Sequence, residues 1–150
     1  MAKRSTQPEA FFSAAERSGI VAAIEKAERA TSAEIKLIVL GRSRGDIQRT
    51  AAELFRAHAL DQTEQQNAVL ILLVISNREF LIYGDEGIHQ KAGQSFWDDV
   101  KEMMQEHFRK DEFGSGLQAG IDRIGEKLKQ YFPYQQGDIN EIDNEIIHED

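Results

Sequence analysis

The feature that most constrains the fold is an uninterrupted apolar run, AVLILLVI, at residues 68–75. A strand with one face in water alternates apolar and polar residues, but this run is apolar on both faces. A helix that crosses a bilayer needs about 20 apolar residues, so the run is too short to span a membrane. It therefore predicts a central strand of a sheet that is covered on both faces.

A second run, EIKLIVL at Glu34–Leu40, predicts another buried strand, because it is rich in β-branched residues and poor in polar ones. Apolar residues at helical spacing predict a helix at residues 13–30 before this strand and another at 46–59 after it. Strand, helix and strand in this order form a right-handed βαβ unit. A tight turn at residues 77–78 leads by a hairpin into a third strand at 79–83, which makes the sheet mixed.

Three helical segments complete the order of elements. They are a short one near residues 86–91, one that begins at Ser95 with Asp98 as the partner in a capping box, and one over residues 116–132. We therefore predict an α/β fold, a three-layer α/β/α sandwich around a small mixed sheet of three to four strands.

Composition excludes several classes of protein. The 150 residues suit one domain, and the net charge of −8 argues against a nucleic-acid-binding protein, which usually presents a basic surface. The absence of cysteine excludes disulfides, thiolate zinc sites and cysteine nucleophiles. No stretch has the pattern of a signal peptide or a membrane span, so we expect a cytoplasmic protein without direct membrane insertion. The sequence leaves the oligomeric state open.

The last residues differ in composition from the rest of the chain. They contain no Lys or Arg and six acidic residues: Asp138, Glu141, Asp143, Glu145, Glu149 and Asp150. We expect an N-terminal extension over residues 1–12, a domain over 13–133 and a separate acidic tail over 134–150. Within the tail, isoleucines recur at helical spacing at positions 139, 142, 146 and 147. This pattern fits either a docking segment for a protein partner or a disordered, solubilising end, and the composition favours disorder.

Two adjacent carboxylates, Asp85 and Glu86, follow the third predicted strand and stand between Gly84 and Gly87. Ligands of open α/β sheets bind in the loops at strand ends, and a hard cation with oxygen ligands would offset the repulsion between the two charges. The glycines would let the backbone turn sharply and approach an ion. The other interpretation is that Asp85 and Glu86 only cap a short helix.

Further candidates occupy two other loops. Asp46 follows the first strand, where it is also a plausible N-cap, and Asp111 precedes the last helix. Both are candidate metal ligands, although Asp46 can join Asp85 only if the strand order brings their loops together. In the loop GRSRGD, Arg42 and Arg44 are candidate phosphate contacts. A solvated basic loop is the simpler interpretation of these arginines.

The motifs resemble the TPM domain family. The resemblance rests on EKAERATS followed by AEIKLIVL, on NAVLILLVISNREFLIYGDEGI and on the late helix FGSGLQAGI, and it covers about residues 16–132. It implies a Rossmann-like α/β/α sandwich that binds a divalent cation, usually calcium, in acidic loops. It also implies an acid phosphatase activity and a role in the maintenance of membrane proteins. Many family members carry a signal peptide and a membrane helix, and we expect neither in this chain.

The sequence therefore supports three functions in decreasing order. The first is a domain that binds Ca²⁺ or Mg²⁺ through Asp85, Glu86, Asp46 and Asp111, with a regulatory or protein-maintenance role. The second is a weak metal-dependent phosphatase, although no nucleophile motif is present and the catalytic residues are unknown. The third is an interaction adaptor that uses the acidic tail. The four histidines, His58, His89, His107 and His148, have no metal-binding spacing, which disfavours zinc.

Overall fold

A computed structural model of the chain describes residues 7–42, 45–134 and 144–149. The helices are α1 Pro8–Phe11, α2 Ala14–Ala30, α3 Ile47–Ala57, α4 Glu86–Ala92, α5 Asp98–Arg109 and α6 Phe113–Tyr131. The strands are β1 Glu34–Leu40, β2 Ala68–Val74, β3 Glu79–Gly84 and β4 Ile147–Glu149. Short 3-10 helices occupy Leu60–Gln62 and Gln94–Trp97.

The strands form one mixed sheet in the order β3-β2-β1-β4. Strand β1 is parallel to both β2 and β4, whereas β2 and β3 are antiparallel. Every residue of β1 and β2 is buried, which confirms the prediction of central strands covered on both faces. Because β3 runs against β1, the carboxyl ends of these two strands lie at opposite ends of the sheet.

Helices cover both faces of the sheet and create two apolar cores. On one face, Ile35 and Leu37 of β1 pack with Ile24 of α2 and Leu117 of α6. On the other face, residues of β1 and β2 pack with Ala51 and Phe55 of α3. The predicted α/β/α sandwich is therefore confirmed.

Two helix boundaries differ from the sequence prediction. Ser95 does not start an α-helix, because residues Gln94–Trp97 form a 3-10 turn and α5 begins only at Asp98. Gly93, at φ 84°, separates this turn from α4. Helix α6 begins at Phe113, three residues earlier than predicted, because Phe113 packs in the core and the two glycines that follow are also buried.

Both ends of the chain contribute to the domain. Strand β4 pairs with Ile38–Leu40 of β1, and the Gly41 amide donates to the Glu149 carbonyl at 2.8 Å. Ile146 packs in the α2 core and Ile147 in the α3 core, so they alternate between faces as strand residues do. Over residues 144–149 the structure thus differs from the expected disordered tail. The rest of that acidic segment, at 135–143 and 150, lies outside the described residues.

The expected N-terminal extension also packs on the domain where it is described. Phe11 and Phe12 belong to the core on the α2 face, and their rings meet edge to face with centroids 5.0 Å apart. Helix α2 then begins at Ser13, whose side chain forms a reciprocal capping box with Glu16. Within the described residues, no helix is both long and apolar enough to cross a membrane.

Candidate functional site

Asp85 is held by the end of β3 and the start of α4. Its amide donates to the Ala68 carbonyl at 3.0 Å, which extends the β2–β3 ladder by one residue. Its Oδ1 accepts a hydrogen bond from the Glu86 amide at 2.7 Å, so the carboxylate does cap α4. Its Oδ2 is buried and has no hydrogen-bond partner among the described residues. The Oδ1 atom therefore has a structural role as a helix cap, whereas the Oδ2 atom has no such role among the described residues.

The surroundings of Asp85 disfavour its negative charge. Burial raises the pKa of the Asp85 carboxyl, and the hydrogen bond from the Glu86 amide opposes this rise. The carboxylates of Asp61 and Glu86 raise the pKa further, whereas His89 lowers it. Asp61 lies in the 3-10 helix that follows α3. The structure thus brings Asp61, which was not among the predicted ligands, into the electrostatic neighbourhood of Asp85.

The backbone beside Asp85 is closely packed, and this requires Gly87. The Gly87 amide donates to the Gln66 carbonyl at 2.9 Å. A Cβ atom on Gly87 would lie 2.5 Å from the carbonyl oxygens of both Gln65 and Gln66, so no larger residue fits without a backbone shift. The sequence predicted a close approach of this backbone to an ion, whereas the close approach seen in the structure is to the peptides of Gln65 and Gln66. Glu86 itself is exposed.

Asp46 lies in a different setting from Asp85. It is the N-cap of α3, as predicted, and its Oδ1 accepts from the Gln48 amide at 3.2 Å. Asp46 follows the carboxyl end of β1, whereas Asp85 follows that of the antiparallel β3, at the opposite end of the sheet. Asp46 borders a cavity of about 630 Å³ that also reaches Gly84, but Asp85 does not line it.

The structure does not bring Asp111 together with Asp85. Asp111 precedes α6 with φ 59° and forms an exposed ion pair with Arg78. Arg78 belongs to the turn between β2 and β3, at the start of β3, and Asp85 follows the end of the same strand. Of the predicted phosphate contacts, Arg42 is exposed just after β1, and Arg44 lies outside the described residues.

The described part of the chain contains no group of three or more His, Asp or Glu side chains that could hold a metal ion. Two histidines face single carboxylates instead: His58 lies 3.3 Å from Glu149, and His107 lies 3.0 Å from Glu112. Any ion beside Asp85 would therefore be held by one or two carboxylates, with neutral oxygens completing its coordination.

The sequence motif around Glu28 has a structural role. Glu28 Oε2 accepts from the Ile35 amide at 2.8 Å, at the part of the β1 edge that precedes the pairing with β4. Thr31 Oγ1 donates to the Phe132 carbonyl, and the Ser32 amide donates to the same oxygen at 2.9 Å. These contacts tie the junction of α2 and β1 to the end of α6.

Known proteins share the sequence pattern and the fold of this chain. A sequence model of the TPM domain matches residues 5–127. The NMR structure of the BA42 protein from the psychrophilic bacterium Bizionia argentinensis superposes with a TM-score of 0.90 at 36% identity, covering 96% of this chain and 99% of that one. The N-terminal domain of a protein from P. gingivalis superposes with a TM-score of 0.68 at 17% identity, covering 83% and 82%, a likeness of fold alone. No curated protein matches the sequence.

Proposed function

Because the chain belongs to the TPM domain family, we propose that it is a binding domain for a divalent cation, Ca²⁺ or Mg²⁺, held at the start of α4 by Asp85. The observation that carries this proposal is the Asp85 Oδ2 atom, which is buried and has no hydrogen-bond partner among the described residues. A buried carboxylate oxygen without a partner is costly, and a cation offsets that cost.

The neighbouring groups are of the chemical type that such a cation prefers. Calcium and magnesium bind oxygen ligands, and Asp61 is a carboxylate close enough to raise the pKa of Asp85. Glu86, at the first position of α4, is the next candidate ligand. A cation bound to Asp85 would offset the repulsion that the Asp61 and Glu86 carboxylates exert on it. Asp46 and Asp111 are weaker candidates, because the former caps α3 and the latter pairs with Arg78.

Thermal melting with and without cation tests the proposal. A ligand that binds only the folded protein stabilises it by about 2.7 kcal/mol at 100 times its dissociation constant, so saturating calcium should raise the Tm by several degrees. The Asp85→Asn variant should lose this rise and be equally or slightly more stable in chelator, because one like charge is gone. Asp61→Asn should weaken the rise without abolishing it.

The matched control is Asp122→Asn, an exposed carboxylate on α6, which should retain the full calcium response. An Asp85→Asn variant that responds to calcium like the wild type would show that Asp85 only caps α4, since Asn caps as well as Asp. A wild-type Tm that does not change with calcium or magnesium would overturn the proposed function itself.

The alternative function, a metal-dependent phosphatase, has weaker support. A phosphatase would need the cation and the arginine of the basic loop to contact the same substrate. Arg42, however, follows the carboxyl end of β1, and Asp85 lies at the opposite end of the sheet. Turnover of an aryl phosphate by the wild type and by Asp85→Asn in parallel tests this alternative. Equal rates would indicate a contaminating enzyme, and a rate that falls with the substitution would favour the phosphatase.

A further inference from the structure

The cavity of about 630 Å³ beside β3 is lined by Gly84 and His89 but not by Asp85, and it has a different chemistry from the proposed cation site. It lies between the first turn of α3, the second half of β3, helix α4 and the start of α5. Its walls include the cationic side chains of Arg49 and Lys101, the imidazole of His89, and the apolar side chains of Leu81, Tyr83 and Trp97. Charged and aromatic groups therefore face one space.

The carboxylates of this cavity lie at helix N-termini, where a negative charge is favoured. The cations lie at the same helix ends, where a positive charge is disfavoured. Asp46 caps α3, and Asp98 is the first residue of α5, where the helix dipole stabilises a negative charge. Arg49 and Lys101 occupy the first turns of the same two helices, where the dipole disfavours a positive charge. Neither forms an ion pair with another described residue. Two cations thus line one cavity without an ion-pair partner in the part of the chain that the structure describes, and against the local electrostatic preference.

The β3 residues of the lining offer apolar area rather than charge. Tyr83 and Leu81 are both partly exposed, and their side chains extend from the same face of β3. The Tyr83 ring is supported from behind by Phe55, with centroids 5.1 Å apart. Trp97 is almost fully buried beside Gly84. The side chains of Tyr83 and Leu81 therefore offer a partly exposed apolar surface that a ring can contact.

We propose that this cavity is a binding site for a small planar organic anion, with Arg49 and Lys101 holding the anionic group and Tyr83 and Leu81 contacting the ring. Aromatic carboxylates and aryl phosphonates share this chemistry. The residues assigned to the anion differ from those assigned to the proposed cation site, since Asp85 does not line the cavity.

An amide NMR titration of the whole chain tests the site, because Trp97 is the sole tryptophan and gives a single indole N–H resonance. Benzoate and phenylphosphonate should each produce saturable shifts of that resonance and of the Tyr83 and Gly84 amides. Two comparison ligands each lose one set of contacts: inorganic phosphate lacks the ring, and benzyl alcohol lacks the charge. Each should bind at least roughly tenfold more weakly than benzoate.

Variants assign the binding to the proposed residues. Arg49→Gln and Lys101→Gln should each weaken benzoate binding roughly tenfold, because a charge-assisted hydrogen bond is lost. Arg56→Gln and Lys110→Gln, at the far ends of the same helices, are exposed controls that should bind like the wild type. All four positions are exposed, so the amide spectra should confirm that each variant folds.

Three results would overturn the proposal. One is the absence of saturable shifts with either aromatic anion at tens of millimolar. Another is equal binding of inorganic phosphate and benzoate, which would remove any role for the ring. The last is unchanged benzoate binding in Arg49→Gln and Lys101→Gln. None of these results depends on calcium, so they are distinguishable from a failure of the cation site.

Discussion

The Glu28 carboxyl group accepts a hydrogen bond from the Ile35 amide, on the edge of β1 and before the residues that pair with β4. Burial raises the pKa of Glu28 to about 9, although the hydrogen bond from the Ile35 amide opposes this, and the nearby Glu34 carboxylate raises the pKa further. Lys36 is buried beside these two acids and lowers the pKa. At neutral pH the Glu28 carboxyl is therefore protonated in the folded chain and ionised in the unfolded chain.

This difference makes the stability depend on pH in a defined direction. Between about pH 4.5 and 9 the folded protein holds a proton that the unfolded chain has lost, so stability falls as the pH rises through this window. Glu28→Gln should flatten the dependence, because Gln stays neutral and still accepts from the Ile35 amide. Relative to wild type, we expect its Tm to rise by about 10–20 °C from pH 5 to pH 9, because each pH unit in this window is worth about 1.4 kcal/mol and each kcal/mol about 2–4 °C. Melts of both proteins across this range provide the measurement, and parallel curves would contradict the prediction.

The roles of single residues could be predicted from the sequence where the neighbours that define them are local. The N-cap role of Asp46 follows from its position just before an apolar-periodic segment, and the structure confirms it. The proximity of Asp61 to Asp85 was missed, because it depends on how the 3-10 helix after α3 returns to the start of β2. No local pattern encodes such a contact between segments far apart in the chain.

Among the elements, β1 and β2 could be predicted almost to the residue, whereas β4 could not. Strands β1 and β2 are long runs, and their apolar character is typical of a strand that is buried on both faces. Strand β4 has only three residues, and its isoleucines also fit a helical spacing. Its strand conformation depends on pairing with β1, which lies more than a hundred residues earlier in the chain.

Strand β4 should therefore contribute to stability. Deleting residues 144–150 would remove the pairing with Ile38–Leu40 and the packing of Ile146 and Ile147. Both isoleucines are partly buried, so we expect a loss of about 2–4 kcal/mol, or roughly 5–15 °C in Tm. Glu149→Gln is the matched control: it replaces the carboxylate that lies 3.3 Å from His58 Nε2 but keeps the strand, and it should cost less than about 1 kcal/mol. A truncated chain with the wild-type Tm would show that β4 contributes nothing.

At the scale of the whole molecule, the two cores share the same strands. Odd-numbered residues of β1 face α2 and α6, and its even-numbered residues Ile38 and Leu40 face the core of α3. The order of the layers was predictable, because an apolar run must bury both faces of its strand and an amphipathic helix must bury its one apolar face. The order of strands across the sheet was not, because the sequence does not show on which side of β1 a later strand will pair.

Sharing β1 and β2 between both cores should make unfolding a single cooperative transition. Trp97 reports on the α2 side of the sheet, whereas Phe55 packs on the α3 side. We therefore expect Phe55→Ala, which should cost about 3–5 kcal/mol, to lower the Tm measured by Trp97 fluorescence by the same amount as the Tm measured by far-UV circular dichroism. Leu117→Ala, a substitution on the α6 face that should cost about 2–5 kcal/mol, is the matched comparison and should also keep the two signals coincident. If Phe55→Ala instead lowers the far-UV transition while the Trp97 transition keeps its wild-type midpoint, the α3 layer unfolds independently and the sheet does not couple the two cores.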